Sequence, residues 1–136
     1  MAYFKDAGEV YACLGELFRL LVADEELSAQ FRDADTIIRY DYRKPEAQIT
    51  CKLLSAEPAQ VDLGASALEP EVVMKMDADV AHRFWLGKLN VAIALARGQI
   101  KTEGPIAKVL PLASLVKLVV PRYRALLEAA GRSDLL

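Results

Sequence analysis

The chain has 136 residues, of which 54% are hydrophobic and 26% are charged, and its formal net charge is −2. This composition excludes a disordered chain, which needs low hydrophobicity and high net charge. The dispersed lysines and arginines disfavour nucleic-acid binding, which needs a positive surface facing the phosphates. The length suits one domain over residues 1–136. The mean hydropathy of +0.18 is high for so small a chain, so we expect surplus apolar residues to line a cavity, an interface or a membrane.

Helical periodicity opens the chain, and strand periodicity follows it. Apolar residues recur at the spacing of one helix face from Ala7 to Leu21, and Asp24 marks the start of a second helix. Alternating apolar and polar residues then predict strands over 36–43, 48–54, 61–63 and 72–77. Alternation at period two is typical of a sheet that has one solvent-facing side.

The strand at 72–77 is followed by two short predicted helices. Asp77 or Asp79 can cap the first of them, and Gly87 suits the left-handed position that ends it. Asn90 can cap the second helix, which ends at Gly98.

A fifth strand and an apolar tail complete the predicted order. Residues 99–103 form the strand, and Gly104 and Pro105 begin another helix. Pro111 and Pro121 are expected to divide the tail into three pieces. Grouped strands and helices in this order predict an α+β fold, with a mostly antiparallel five-stranded sheet and the helices packed on one face.

The residue types that carry catalysis are scarce. The chain has no phosphate-binding glycine loop and no nucleophile elbow. Its one histidine, His82, is predicted to be a neutral, partly exposed helix residue rather than a general base. Cys13 and Cys51 stand apart without metal-ligand spacing and are interpreted as reduced core thiols. We therefore predict no catalytic residue, no metal and no cofactor, and expect that the protein is not an enzyme.

Targeting and membrane signals point to a cytoplasmic protein. Residues 1–6 lack the charged-then-apolar pattern of a signal peptide. No unbroken apolar stretch reaches the ~20 residues that a membrane span needs. We expect no stable membrane insertion.

Two apolar regions carry the functional hypothesis. Residues 106–120 are apolar around almost the whole helix circumference, whereas an ordinary surface helix has one apolar stripe. A second apolar cluster lies at 84–95. Plain core packing is one explanation, but a hollow between helices and sheet would also absorb this excess. Met74 and Met76 are flexible side chains that adapt to ligands of variable shape.

Three segments resemble one family, the sterol-carrier-protein lipid-binding domain. They are VVMKMDAD at 72–79, FWLGKLN at 84–90 and ARGQIKTEG at 96–104. The resemblance covers roughly residues 36–120. It implies a five-stranded sheet with helices on one side, and an apolar tunnel between them that takes fatty acids, acyl-CoA, sterols or similar lipids. The family has no residue that catalyses chemistry within this domain.

The expected function is therefore to bind an apolar ligand in that tunnel and to carry or present it. The resemblance implies diffuse ligand contacts, which are carried over by position. The predicted ligand-binding residues are Met74, Met76, Phe84, Trp85, Leu89, Ile93, Val109, Leu112, Leu115, Val116 and Val119.

Two alternatives stay open at this point. The apolar C-terminal helices could dock on a partner or form a homodimer, without any ligand. An accessory enzyme could instead use Asp77, Asp79 and His82 on a hydrophobic substrate. The chain also departs from eukaryotic members of the family, because it ends in Asp-Leu-Leu instead of a peroxisomal signal. Residues 122–136 are an extension that could close the tunnel or make a dimer contact.

Overall fold

A computed structural model describes residues 3–136, so the first two residues of the segment inspected for a signal peptide lie outside it. The first half contains α1 (Ala7–Val10), a π-helical turn (Tyr11–Gly15), α2 (Glu16–Ala23), α3 (Glu25–Arg32), β1 (Thr36–Arg43), β2 (Ala47–Leu53) and β3 (Gln60–Leu63). The second half contains β4 (Val72–Asp77), α4 (Ala78–Trp85), α5 (Val91–Ala96), β5 (Ile100–Glu103), two 3₁₀ segments (Ile106–Lys108 and Leu110–Leu115), α6 (Val116–Ala129) and a final 3₁₀ turn (Ser133–Leu135).

The five strands form one mixed sheet in the order β3-β2-β1-β4-β5. Three of the four neighbouring pairs are antiparallel, and only β1 and β4 run parallel. The register aligns Tyr42 with Met76, and Met76 with Ile100, so these three side chains form a row across the central strands. The α+β prediction and the mostly antiparallel five-stranded sheet are confirmed.

The two faces of the sheet differ as the alternation predicts. On the inner face, Ile38 and Ile49 are fully buried beneath the helices. The outer face carries exposed ion pairs, such as Lys75 with Glu103 at 2.8 Å. Apolar burial on one face therefore fixes the register, because a slip of one residue would turn the charged side chains inward.

The helices predicted to start at Asp24 and Asn90 are both capped by these residues, whereas neither residue predicted to cap α4 does so. Asp24 accepts a hydrogen bond from the Leu27 amide, and Asn90 accepts one from Ile93. Asp77 occupies the cap position of α4 but makes no capping bond, because its carboxylate accepts a bond from Arg43 at 2.6 Å. The Asp79 carboxylate instead accepts a bond from the Tyr3 amide at 2.9 Å.

The division of the tail at Pro121 was wrong, since α6 continues through this proline. Proline removes one backbone donor from a helix. The inward face of α6 outweighs that loss, because Val119, Tyr123 and Leu127 are each fully buried in the core. Burying side chains of this size stabilises by about 1.5–3 kcal/mol each.

No helix within residues 3–136 combines the length and apolar character that crossing a membrane requires.

Candidate functional site: an apolar cavity and its neighbouring groove

A small cavity lies between the inner face of the sheet and the helices that follow β4. Its floor comes from strands β1, β4 and β5, and its walls come from α4 and α5. Its roof is the segment 106–115, here called the lid. The cavity is lined by Tyr40, Tyr42, Met74, Met76, Ala81, Phe84, Trp85, Val91, Leu95, Ile100, Ile106, Val109, Leu110, Leu112 and Ala113.

The cavity is apolar and small. None of its fifteen lining side chains is charged, and its enclosed space is about 50 Å³. Pockets that hold drug-sized ligands measure roughly 300–1,000 Å³, so this space fits no long-chain ligand as it stands. The predicted tunnel is not seen, because the side chains of the lid close over the sheet.

The lid is a weakly held part of the fold. It consists of two 3₁₀ segments, and among its residues only Val109 is buried. At its start, Lys108 contacts the Glu71 carboxylate at 3.0 Å, an exposed ion pair that adds little stability. Segments with few buried apolar contacts open at low cost, so we expect the lid to open more readily than α6, which buries three side chains in the core.

An open groove of about 720 Å³ adjoins the cavity. The groove is lined by the apolar side chains of Leu86, Leu89, Val116 and Val120, and by the cationic side chain of Lys117. The groove and the cavity share three lining residues, Phe84, Val91 and Ala113. These three side chains therefore form the partition between an open apolar surface and a closed apolar interior.

The predicted ligand-binding residues divide between several places. Six of them line the cavity: Met74, Met76, Phe84, Trp85, Val109 and Leu112. Leu89 and Val116 line the groove. Leu115 faces a separate depression beside α3, and Ile93 is 50% exposed on α5. Val119 is fully buried in the core. Ligand contact by any of these residues stays a prediction.

Several cavity residues were not predicted from the sequence, although strand alternation or helix spacing indicates which way they face. Tyr40 and Tyr42 occupy inward positions of β1, and the parallel pairing with β4 sets them beside Met74 and Met76. The alternation of β1 was visible in the sequence, but the parallel pairing was not. Ala81 lies three residues before Phe84 on α4, so the two share a helix face.

His82 is fully buried, which corrects the expectation of partial exposure. Its Nε2 lies 2.7 Å from the Leu135 carbonyl oxygen, and its Nδ1 lies 2.8 Å from the Tyr123 hydroxyl. Because a carbonyl only accepts, Nε2 carries the proton, and Nδ1 accepts from Tyr123. Burial lowers the pKa of His82. Both ring nitrogens are engaged inside the core, so this imidazole has the role of a structural link.

The two cysteines are free and buried. Burial raises the pKa of Cys51 to about 12. Its thiol therefore stays protonated at neutral pH, as expected of a core residue.

Comparison with known proteins gives matches among solved structures only; no protein-family model and no curated protein sequence matches the chain. The sterol carrier protein domain 2 of Helicoverpa armigera is 19% identical, with a TM-score of 0.62 over 82% of this chain and 90% of its own. Sterol carrier protein 2 from Yarrowia lipolytica is 15% identical, with a TM-score of 0.60 over 79% of this chain and 87% of its own.

A third neighbour is the palmitated SCP2L2 of Aedes aegypti. It is 18% identical, with a TM-score of 0.56 over 79% of this chain and 93% of its own. At identities this low, the structural match establishes the fold but does not establish the ligand. The family that the three sequence segments suggested is therefore supported by structure: this chain has the sterol carrier protein 2 type of fold.

Proposed function

We propose that this chain is one lipid-binding domain that takes an apolar ligand between its sheet and its lid, and carries or presents it. The observation that carries the proposal is an uncharged cavity beneath a weakly held lid, next to an open apolar groove. Fatty acids, acyl-CoA and sterol-like lipids are the ligand classes we favour. The palmitated state of the Aedes aegypti neighbour supports an acyl chain among them.

Binding requires the lid to move, and the energetics favour this. Opening the lid exposes Val109, at a cost of about 1.5–3 kcal/mol, and further exposes the partly buried Ile106, Leu112 and Leu115. Each methylene of a ligand that becomes buried contributes about 0.8 kcal/mol. About two to four buried methylenes therefore offset the exposure of Val109, and a longer chain also offsets the remaining lid contacts.

The interaction module without a ligand is not favoured. That hypothesis rested on an apolar C-terminal tail in need of a partner. The inward face of α6 is covered by the chain itself, since Val119, Tyr123 and Leu127 lie in the core. A homodimer contact stays a prediction.

Trp85 supplies the direct test of ligand binding. It is the single tryptophan of the chain, it lines the cavity, and it is 4% exposed. We expect a fluorescent long-chain fatty acid to change Trp85 emission in a saturable way, with one ligand per chain. An emission spectrum that stays constant up to the solubility limit of the ligand would contradict the proposal.

A substitution in the partition should block the ligand. Ala113 borders both the cavity and the groove, so Ala113→Phe places a ring in the passage between them. We expect the affinity for the fluorescent fatty acid to fall at least tenfold, or ~1.4 kcal/mol. Ala107→Phe is the matched control, because Ala107 is an exposed lid residue that borders neither space. Equal affinities of the two variants would argue against this route.

A further inference from the structure

Tyr42 lines the cavity, and its hydroxyl is a buried polar atom that has no hydrogen-bond partner. Tyr42 is 4% exposed, and its hydroxyl is one of four buried side-chain polar atoms without a hydrogen bond in residues 3–136. The other three belong to Arg32, Thr50 and Arg83, which do not line the cavity. Buried polar groups are almost always hydrogen-bonded. An unpartnered hydroxyl on a cavity-lining residue therefore indicates a partner from outside the chain, such as a ligand.

The surroundings of Tyr42 supply no partner. Its neighbours in the sheet row, Ala47 and Met76, are apolar. Its ring stacks on Tyr40, with ring centroids 6.1 Å apart. Burial raises the pKa of Tyr42, so the group stays a neutral hydroxyl that can donate or accept a hydrogen bond.

We propose that Tyr42 is the polar anchor of this cavity, and that its ligand carries an uncharged oxygen, such as a hydroxyl or carbonyl, at the end that enters first. The inference rests on the proposed function and narrows its ligand class. An ionised carboxylate at the buried end is disfavoured, because none of the lining side chains is cationic and an unpaired buried charge is costly. The head of an anionic amphiphile belongs instead in the groove, near Lys117.

The test uses two probes of matched shape that differ by one oxygen, 4-butylphenol and butylbenzene. Isothermal titration calorimetry measures both affinities for the wild type and for Tyr42→Phe. We expect the substitution to weaken 4-butylphenol binding about tenfold and to leave butylbenzene binding unchanged or slightly stronger. Tyr40→Phe is the matched control, since Tyr40 also lines the cavity but its hydroxyl is not among the buried unpartnered atoms.

The possible results distinguish a failure of the polar anchor from a failure of the proposed function. If the wild type binds both probes and Tyr42→Phe changes both affinities by the same factor, or neither, the anchor is overturned and the proposed function stands. An equal loss of 4-butylphenol binding in Tyr40→Phe would also overturn it. If the wild type binds neither these probes nor the fluorescent fatty acid, the proposed function falls and the anchor falls with it. Thermal melting of each variant establishes that it is folded.

Discussion

Replacing Gly104 with alanine is expected to lower the free energy of unfolding by about 3 kcal/mol or more. Gly104 directly follows β5 and has φ at +93°, a conformation that residues other than glycine rarely adopt. A Cβ at this position would also collide with the Glu71 carbonyl oxygen, and it would lie 3.3 Å from the Val72 Cα. Both neighbours are backbone atoms that cannot rotate away, so β5 would have to move off β4.

Gly98 provides the matched control for this substitution. Its φ is +73°, but a Cβ added there would have no neighbouring atom within 4 Å. Gly98→Ala should therefore cost only the backbone strain, about 1–2 kcal/mol. Chemical denaturation of the two variants measures the difference. Equal destabilisation would mean that the close approach to Glu71 is relieved without cost.

The Gly104 substitution should also affect the lid. The Glu71 carboxylate holds Lys108 at the start of the lid and accepts a hydrogen bond from Thr36 at 2.6 Å. Moving this backbone would loosen the roof of the cavity. We therefore expect faster amide exchange over residues 106–115 in Gly104→Ala than in Gly98→Ala.

The second large effect is expected at His82. His82→Leu keeps a side chain of similar bulk but leaves the Tyr123 hydroxyl and the Leu135 carbonyl without their partner. Two buried unsatisfied groups at about 1–3 kcal/mol each predict a loss of about 3 kcal/mol. The final turn, Ser133–Leu135, should detach from α4 and α6, and limited proteolysis at the C-terminus would detect this. Resistance equal to that of the wild type would contradict the linking role.

His82 also predicts the direction of the pH dependence. Burial lowers its pKa in the folded state, and Lys88 and Arg132 act in the same direction, whereas the Leu135 carbonyl and Asp79 oppose them. The unfolded chain therefore binds a proton more readily. Stability should be complete above the unfolded-state pKa of about 6.5 and should fall as the pH drops below that value.

Because the chain has a single histidine, substituting His82 isolates its contribution to the pH dependence of stability. Denaturation midpoints between pH 7.5 and 5.5 should decline in the wild type. In His82→Gln, a neutral side chain replaces the titrating one, and the decline should be much smaller. A slope that persists in His82→Gln would assign the pH dependence to another group.

Local sequence patterns predict the order of the elements and the face that most of them turn toward the core. Alternation placed Ile38, Tyr42 and Ile49 on the inner face, and all three are buried. Asn90 forms the predicted cap, and Asp24 caps the helix whose start it was predicted to mark. These features depend on neighbours within a few residues, so local chemistry was sufficient to predict them.

How the elements meet depends on contacts between residues that are far apart in the chain. The parallel pairing of β1 with β4 brings Tyr42 beside Met76, and no periodicity encodes that pairing. The Asp77 carboxylate could cap α4 or pair with Arg43. Because β1 brings Arg43 beside it, the carboxylate accepts a hydrogen bond from Arg43. The sequence around His82 is typical of a surface helix. In the structure the C-terminal turn packs over this helix, and the Leu135 carbonyl contacts the imidazole.

In the cavity, too, local sequence predicts which residues are apolar, whereas long-range packing sets where they lie. Sequence predicted an excess of apolar helix near 84–95 and 106–120, and six of the predicted contacts do line one space. Whether that excess encloses an open tunnel or closes on itself depends on the summed packing of side chains from three strands, two helices and the lid. Ile93 and Val119 have similar apolar character, yet one lies half-exposed and the other fully buried. Hydrophobicity sets which residues leave water, whereas the position of each helix on the sheet sets where they go.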